Sequence, residues 1–223
     1  MIFKKEADFE EAVIKMLIKT GWESEVLQYK TEQELIKNWA EILFKNNRDI
    51  DRLNDCPLTD TEMKQVIEQV NHLRTPLKLN GFITGRTIMI KRDNPDDVAH
   101  LGKEVSLKIY DRYEIAGGKS VYQIVQQPLF LKREGEERNN RGDLTLLING
   151  MPVIHIELKR DKALMNAALE QIRRYKKQNV FTGLFSLVQV FVTMTPEETK
   201  YFANPGPDED LNPNYFFQWA DFN

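Results

Sequence analysis

The sequence predicts an α/β or α+β fold in which helices flank a sheet. Two observations carry that prediction. Apolar residues recur at helical spacing through the first third of the chain, and the period changes to strand-like alternation from Gly81 onward, before one more helix and strand near the C-terminal end. At 223 residues the chain is long enough for one sizeable domain with its own core. Apolar residues make up 41% and charged residues 29%, ordinary for a soluble globular protein.

Taken in order, residues 6–19 set Phe9, Val13, Met16 and Leu17 at helical spacing, and Gly21 supplies the terminating glycine. Residues 31–46 predict a second helix with Leu35, Trp39, Ile42 and Leu43 on one face. Residues 59–73 predict a third, with Thr59 or Asp60 as N-cap and Met63, Val66, Ile67 and Val70 as its stripe. Strands are expected around Ile88–Ile90, Val105–Ile109 and Tyr122–Val125, with turns at Asn94-Pro95 and Gly117-Gly118. Two further strands span 143–149 and 152–158 around a turn at Asn149-Gly150. A helix at 163–177 and a strand at 187–193 follow. Pro205, Pro207 and Pro213 stand among asparagines and acids, so the end of the chain reads as irregular. The expected division is a domain over 1–200 and an irregular linker over 201–223.

Several function classes are disfavoured. The net charge of −3 gives no global basic field, which argues against tight DNA binding by this chain alone. A single cysteine, Cys56, excludes an intrachain disulfide and a cysteine-based zinc site, and His72 and His100 sit in unrelated segments. There is no apolar run of about 18 residues and no signal-peptide core, so the chain reads as cytoplasmic, without a membrane partner. Gly118-Lys119-Ser120 has the ending of a phosphate loop, but the first glycine of that motif would fall at Tyr113. The segment is therefore expected to be a hairpin turn, with no ATP site in this chain.

The chemistry concentrates in GDLTLLINGMPVIHIELK, residues 142–159. Asp143 opens one apolar strand, and the next carries Glu157-Leu158-Lys159. Alternation puts Glu157 and Lys159 on one face and turns Leu158 into the core. Pairing across the turn brings Asp143 near Glu157. Two carboxylates are hard oxygen ligands suited to Mg²⁺, and a neighbouring ammonium can orient water or steady a phosphate. Metal-assisted phosphodiester hydrolysis needs that set of groups. His155 faces the same side as Glu157 and is expected to be structural. In the helix that follows, Gln171 and Tyr175 are four apart and share a face, while Arg173, Arg174, Lys176 and Lys177 make it locally basic.

Asp143, then Glu157-x-Lys159, then Gln171-x-x-x-Tyr175 together resemble the PD-(D/E)xK nucleases of the RecB-like group. The wording RGDLTLLINGMPVIHIELKR with EQIRRY after it is similar to the endonuclease domain of type I restriction enzyme R (motor) subunits. ADFEEAVIKMLIKTGWE and VFVTMTPEETKYFAN extend the likeness at the two ends. The resemblance implies a central mixed β-sheet flanked by helices behind an N-terminal helical portion. It implies Mg²⁺ held by Asp143, Glu157 and the Leu158 carbonyl, with Lys159 in the chemistry. Glu10 in the first helix is the carboxylate it favours for the metal, although Glu6, which shares that face, and neighbouring Glu11 compete for the role. Gln171, Tyr175, Arg141 and Arg174 become supporting or DNA-contacting residues. The implied partners are double-stranded DNA and the methylation and specificity subunits of a type I complex, with ATP used only by the full-length subunit. The alternatives are a free-standing RecB-like exonuclease or repair nuclease, and a catalytically silent assembly module in which residues 30–130 dock a partner subunit.

Overall fold

The computed structural model describes residues 3–73, 87–109, 120–132, 139–206 and 209–219. Helix α1 spans Glu6–Lys19, and the short strand β1 spans Leu27–Gln28. Helices α2 (Glu32–Asn46) and α3 (Asp60–Asn71) follow, then strands β2 (Thr87–Lys91) and β3 (Glu104–Lys108). Next come β4 (Tyr122–Gln126), β5 (Leu129–Phe130), β6 (Asn140–Arg141), β7 (Leu144–Ile148) and β8 (Met151–Leu158). A 3-10 turn at Lys162–Leu164 leads into helix α4 (Met165–Lys177), and a second at Gly183–Leu187 leads into β9 (Val190–Met194). Strands β10 (Thr199–Ala203) and β11 (Phe217–Gln218) are the last two strands among the described residues.

Seven strands form one mixed sheet in the order β1-β4-β7-β8-β9-β10-β11. The β1/β4 and β8/β9 pairs are parallel and the others antiparallel. The fold class is therefore α/β with helices on both faces of a mixed sheet. Alternation along the strands divides the core. Ile124, Leu144, Leu146, Ile156 and Leu158 pack with Phe9, Val13 and Ile14 of α1 on one face. Val125, Leu147, Met151 and Phe191 face the other way, into the cluster built by α2, α3 and α4.

Local rules explain the element ends. Thr31 and Thr59 each close a capping box, with Glu34 and Glu62 respectively, and so settle the α3 N-cap in favour of Thr59. Gly21 follows the α1 C-cap with φ of +108°. Asn149 and Gly150 have φ of +50° and +82°, the left-handed pair that a two-residue hairpin turn requires. Gly150 also lies against Trp39, where a Cβ would approach the indole to 2.8 Å.

Three sequence readings change, and one pair of expected strands stands apart from the central sheet. Met16 is 62% exposed and Ile14 is buried in its place, because Phe9, Val13 and Leu17 already form the i, i+4 line toward the sheet. Among the described residues, strands β2 and β3 pair with each other alone and pack with α2 and α3 as a side lobe. That lobe is fastened by buried Arg92, whose guanidinium binds Glu62 at 2.7 Å and Asp97 at 3.0 Å. The strand expected at 187–193 begins at Val190, after a 3-10 turn that ends at Leu187. Finally, β10 crosses residue 200 and β11 pairs with it, so part of the expected irregular segment belongs to the sheet. The turn expected at Gly117-Gly118 lies outside the described residues, as does Lys119.

Candidate active site

The β7–β8 hairpin brings the principal acids to one end of the sheet. Leu144 pairs with Ile156, so Asp143 and Glu157 are the next residues outward on adjacent strands. The Leu158 backbone N–H donates to Asp143 Oδ2 over 2.6 Å, fixing the aspartate across the end of β8. The Lys159 ammonium donates to the Leu158 carbonyl at 2.7 Å and to Glu6 Oε1 at 3.3 Å, and stands 3.9 Å from Asp143 Oδ2. The Leu158 side chain is fully buried among the α1-facing residues, as alternation predicts.

Glu10 and Glu6 divide the work on α1. Glu10 is buried and accepts from Gln126 Nε2 at 2.7 Å and from Gln127 Nε2 at 3.3 Å. The Gln127 backbone N–H in turn donates to the Asp143 carbonyl at 2.7 Å. Glu10 thus joins the Asp143 neighbourhood, whereas Glu6 meets Lys159. The two glutamines are site neighbours that sequence reasoning missed. The available signal was a Gln-Gln-Pro run closing an apolar strand, and Gln127 has a left-handed φ of +53°.

Tyr175 is buried beneath the segment leading to Asp143. Its hydroxyl donates to the Arg141 carbonyl at 2.6 Å and accepts from Gln171 Nε2 at 2.8 Å. The pair therefore supports the backbone two residues before Asp143. Arg141 is exposed, and its positive charge favours ionised Glu10. Arg174 is exposed, with its guanidinium 5.5 Å from the Tyr175 ring centroid. The other basic residues of α4 are partly committed: Arg173 pairs with Glu170, and Lys176 donates to the Gly206 and Glu209 carbonyls.

The electrostatics of this cluster favour a cation. Burial, and next the negative charge of Glu157, push the Asp143 carboxyl up to about 7. Burial likewise pushes Glu157 up to about 8, against the opposing pull of Lys159. Glu10 is raised by burial, with the Gln126 and Gln127 hydrogen bonds working the other way. His155 is pushed down to about 4 by burial and is neutral at pH 7. Glu157 is fully buried, and no donor among the described residues reaches its Oε2. An unpartnered buried carboxylate oxygen is costly, and a cation relieves that cost.

Two carboxylates and a backbone carbonyl at one strand end fit a hard divalent cation. The carbonyl oxygen keeps a second lone pair beyond the one used by Lys159. Among the described residues no group of three or more His, Cys, Asp or Glu side chains is arranged to hold a metal. No helix among the described residues is long and apolar enough to cross a membrane.

Comparison with known proteins identifies the chain's relatives. The chain matches the family described as "Type I restriction enzyme R protein N terminus (HSDR_N)" over residues 3–210. It is 31% identical over 226 residues to the type I restriction enzyme SsaAORF53P endonuclease subunit of Staphylococcus saprophyticus, covering 99% of this chain and 21% of that protein. It is 28% identical to the SauMSSORF170P endonuclease subunit of Staphylococcus aureus, with 99% and 21% covered. The EcoprrI endonuclease subunit of Escherichia coli is 26% identical, with 98% and 64% covered. The chain thus spans about a fifth of the length of the staphylococcal relatives. With the match running through the hairpin, the first helix and α4 alike, this chain belongs to the family of type I restriction enzyme R protein N-termini.

Proposed function

We propose that this chain is a Mg²⁺-dependent double-strand DNA endonuclease domain of a type I restriction motor subunit, with a PD-(D/E)xK site at the end of the β7–β8 hairpin. The observation that carries the proposal is the fully buried Glu157, whose Oε2 has no hydrogen-bond donor among the described residues, one strand away from Asp143. Asp143, Glu157 and the Leu158 carbonyl would hold the ion, and Glu10 would stand behind them through Gln127. A bound Mg²⁺ supplies a lowered pKa for coordinated water and neutralises charge on the phosphate. Lys159 orients the attacking water and balances charge that develops on the phosphate. Gln171 and Tyr175 hold the Arg141 backbone, while Arg141, Arg174 and Lys177 present exposed positive charge to the DNA backbone.

Sequence choice would lie outside this chain, in the methylation and specificity subunits. ATP-driven translocation would belong to the rest of the longer subunit. The net charge of −3 supports this delegation, since the isolated chain has little general attraction for DNA. Its working compartment would be the cytoplasm.

The test assembles the full-length subunit carrying Glu157→Gln with its partner subunits. Cleavage of covalently closed circular DNA and ATP hydrolysis are read in one preparation. Cleavage is expected to fall by about 100-fold or more with ATPase turnover retained. Normal cleavage by this variant would overturn the site.

A further inference from the structure

Strand β8 buries an imidazole to which the chemistry above assigns no task. His155 is wholly inaccessible and stands directly opposite Thr145 of β7. Its Nε2 lies 2.9 Å from Glu157 Oε1, and its Nδ1 lies 3.0 Å from Thr145 Oγ1. Against an ionised Glu157, one polarity satisfies all three groups. The threonine hydroxyl donates to Nδ1, and Nε2–H donates to the carboxylate. Oε1 of Glu157 is then held by the imidazole, and Oε2, equally buried, has no hydrogen-bond partner among the described residues.

A second contact ties the same ring to the other acid. A Cβ placed on Gly142 would come within 2.6 Å of His155 Cε1. The backbone immediately before Asp143 therefore rests on the edge of the imidazole, and glycine allows that approach. The rings of Phe181, Phe130, Tyr175 and Phe191 surround His155 at centroid distances of 5.3, 5.9, 6.2 and 6.4 Å, so the imidazole has little room to turn.

We infer that His155 is a positioning residue for the cation-binding acids, holding Glu157 Oε1 so that Oε2 is left to the ion, with Thr145 setting the imidazole tautomer. The inference rests on the metal reading given above. Partners behind metal ligands fix orientation, and losing one typically lowers metal affinity by about 10- to 100-fold. A purely structural histidine would change stability and leave the affinity of the folded protein alone.

The test titrates the 223-residue chain with Mn²⁺, following free Mn²⁺ by electron paramagnetic resonance, and measures urea midpoints in the presence of chelator. His155→Leu is expected to weaken Mn²⁺ binding by about tenfold or more, and Thr145→Val by a smaller factor of about three. His155→Gln, which restores a side-chain donor, is expected to recover most of the affinity, whatever its urea midpoint. Wild-type Mn²⁺ affinity in folded His155→Leu would overturn the positioning role. If that variant does not fold, wild-type affinity in Thr145→Val would overturn it. A wild-type chain that binds no Mn²⁺ would overturn the metal reading and the inference with it.

Discussion

The Lys159 ammonium lies 3.3 Å from Glu6 Oε1, so the end of β8 is tied to the first turn of α1 across 153 residues of sequence. The same ammonium is 3.9 Å from Asp143, close enough to balance charge without being able to bind a cation itself. Lys159→Ala in the assembled enzyme is therefore expected to abolish DNA cleavage while Mn²⁺ affinity and ATP hydrolysis persist. Lys159→Arg keeps the charge but changes its shape and reach, and should restore little activity. The check is cleavage of circular DNA beside ATPase turnover; normal cleavage by the alanine variant would remove Lys159 from the chemistry.

The buried acids set a pH dependence with a definite sign. Folding raises Asp143 to about 7 and Glu157 to about 8, both through burial first. A carboxyl whose folded pKa lies above its unfolded value contributes stability at low pH. That contribution is lost as pH rises through the folded pKa. In chelator, the melting temperature of wild type relative to Asp143→Asn/Glu157→Gln should fall between about pH 5 and pH 9. Mg²⁺ should offset the fall by mass action, most at the alkaline end. Calorimetry across that range reads both effects, and a wild-type-minus-variant difference that rises with pH would contradict the burial argument.

Tyr175 acts through the backbone of Arg141. Tyr175→Phe removes the donor to that carbonyl and the acceptor of the Gln171 amide, two part-buried hydrogen bonds worth about 1 kcal/mol each. Cleavage in the complete enzyme should weaken, with Mn²⁺ affinity within about threefold of wild type, less than the loss of a direct partner of a metal ligand brings. Affinity falling as far as in Asp143→Ala would place Tyr175 much closer to the ion than this account allows.

Gly142→Ala forces a methyl against His155, Phe130 and Pro128, at 2.6, 3.1 and 3.3 Å. All three lie in packed surroundings, so overpacking of about 1–3 kcal/mol is expected in urea unfolding. An unchanged midpoint would mean that the strand before Asp143 shifts freely.

Arg92 tests the side lobe independently of the site. Its guanidinium is buried between Glu62 and Asp97, and Arg92→Met strands both acids. Breaking a buried ion pair in this way costs about 3–5 kcal/mol. The expected result is a lowered urea midpoint, with Mn²⁺ affinity unchanged in the protein that remains folded. A wild-type midpoint would show that the lobe does not depend on this network.

The local sequence determined the helices, the Asn149-Gly150 hairpin and the placing of Asp143 and Glu157 at the same end of adjacent strands. Each follows from short-range rules: apolar spacing, capping threonines, a left-handed turn and a strand period of two. What lies far apart in sequence was decided by tertiary structure. The α1 face turned Met16 outward and split Glu6 from Glu10, giving one to Lys159 and the other to Gln126 and Gln127. The β2–β3 pair stayed apart from the central sheet and packed with α2 and α3, an arrangement that no local period distinguishes from membership in the sheet. Strands β10 and β11 exist because β9 offers an edge to pair with, although the prolines and asparagines around β11 read locally as irregular chain. His155 read as an ordinary core residue, since a histidine's role depends on what reaches its two nitrogens. Those partners, Thr145 across the hairpin and Glu157 two residues on, are set by strand register and burial.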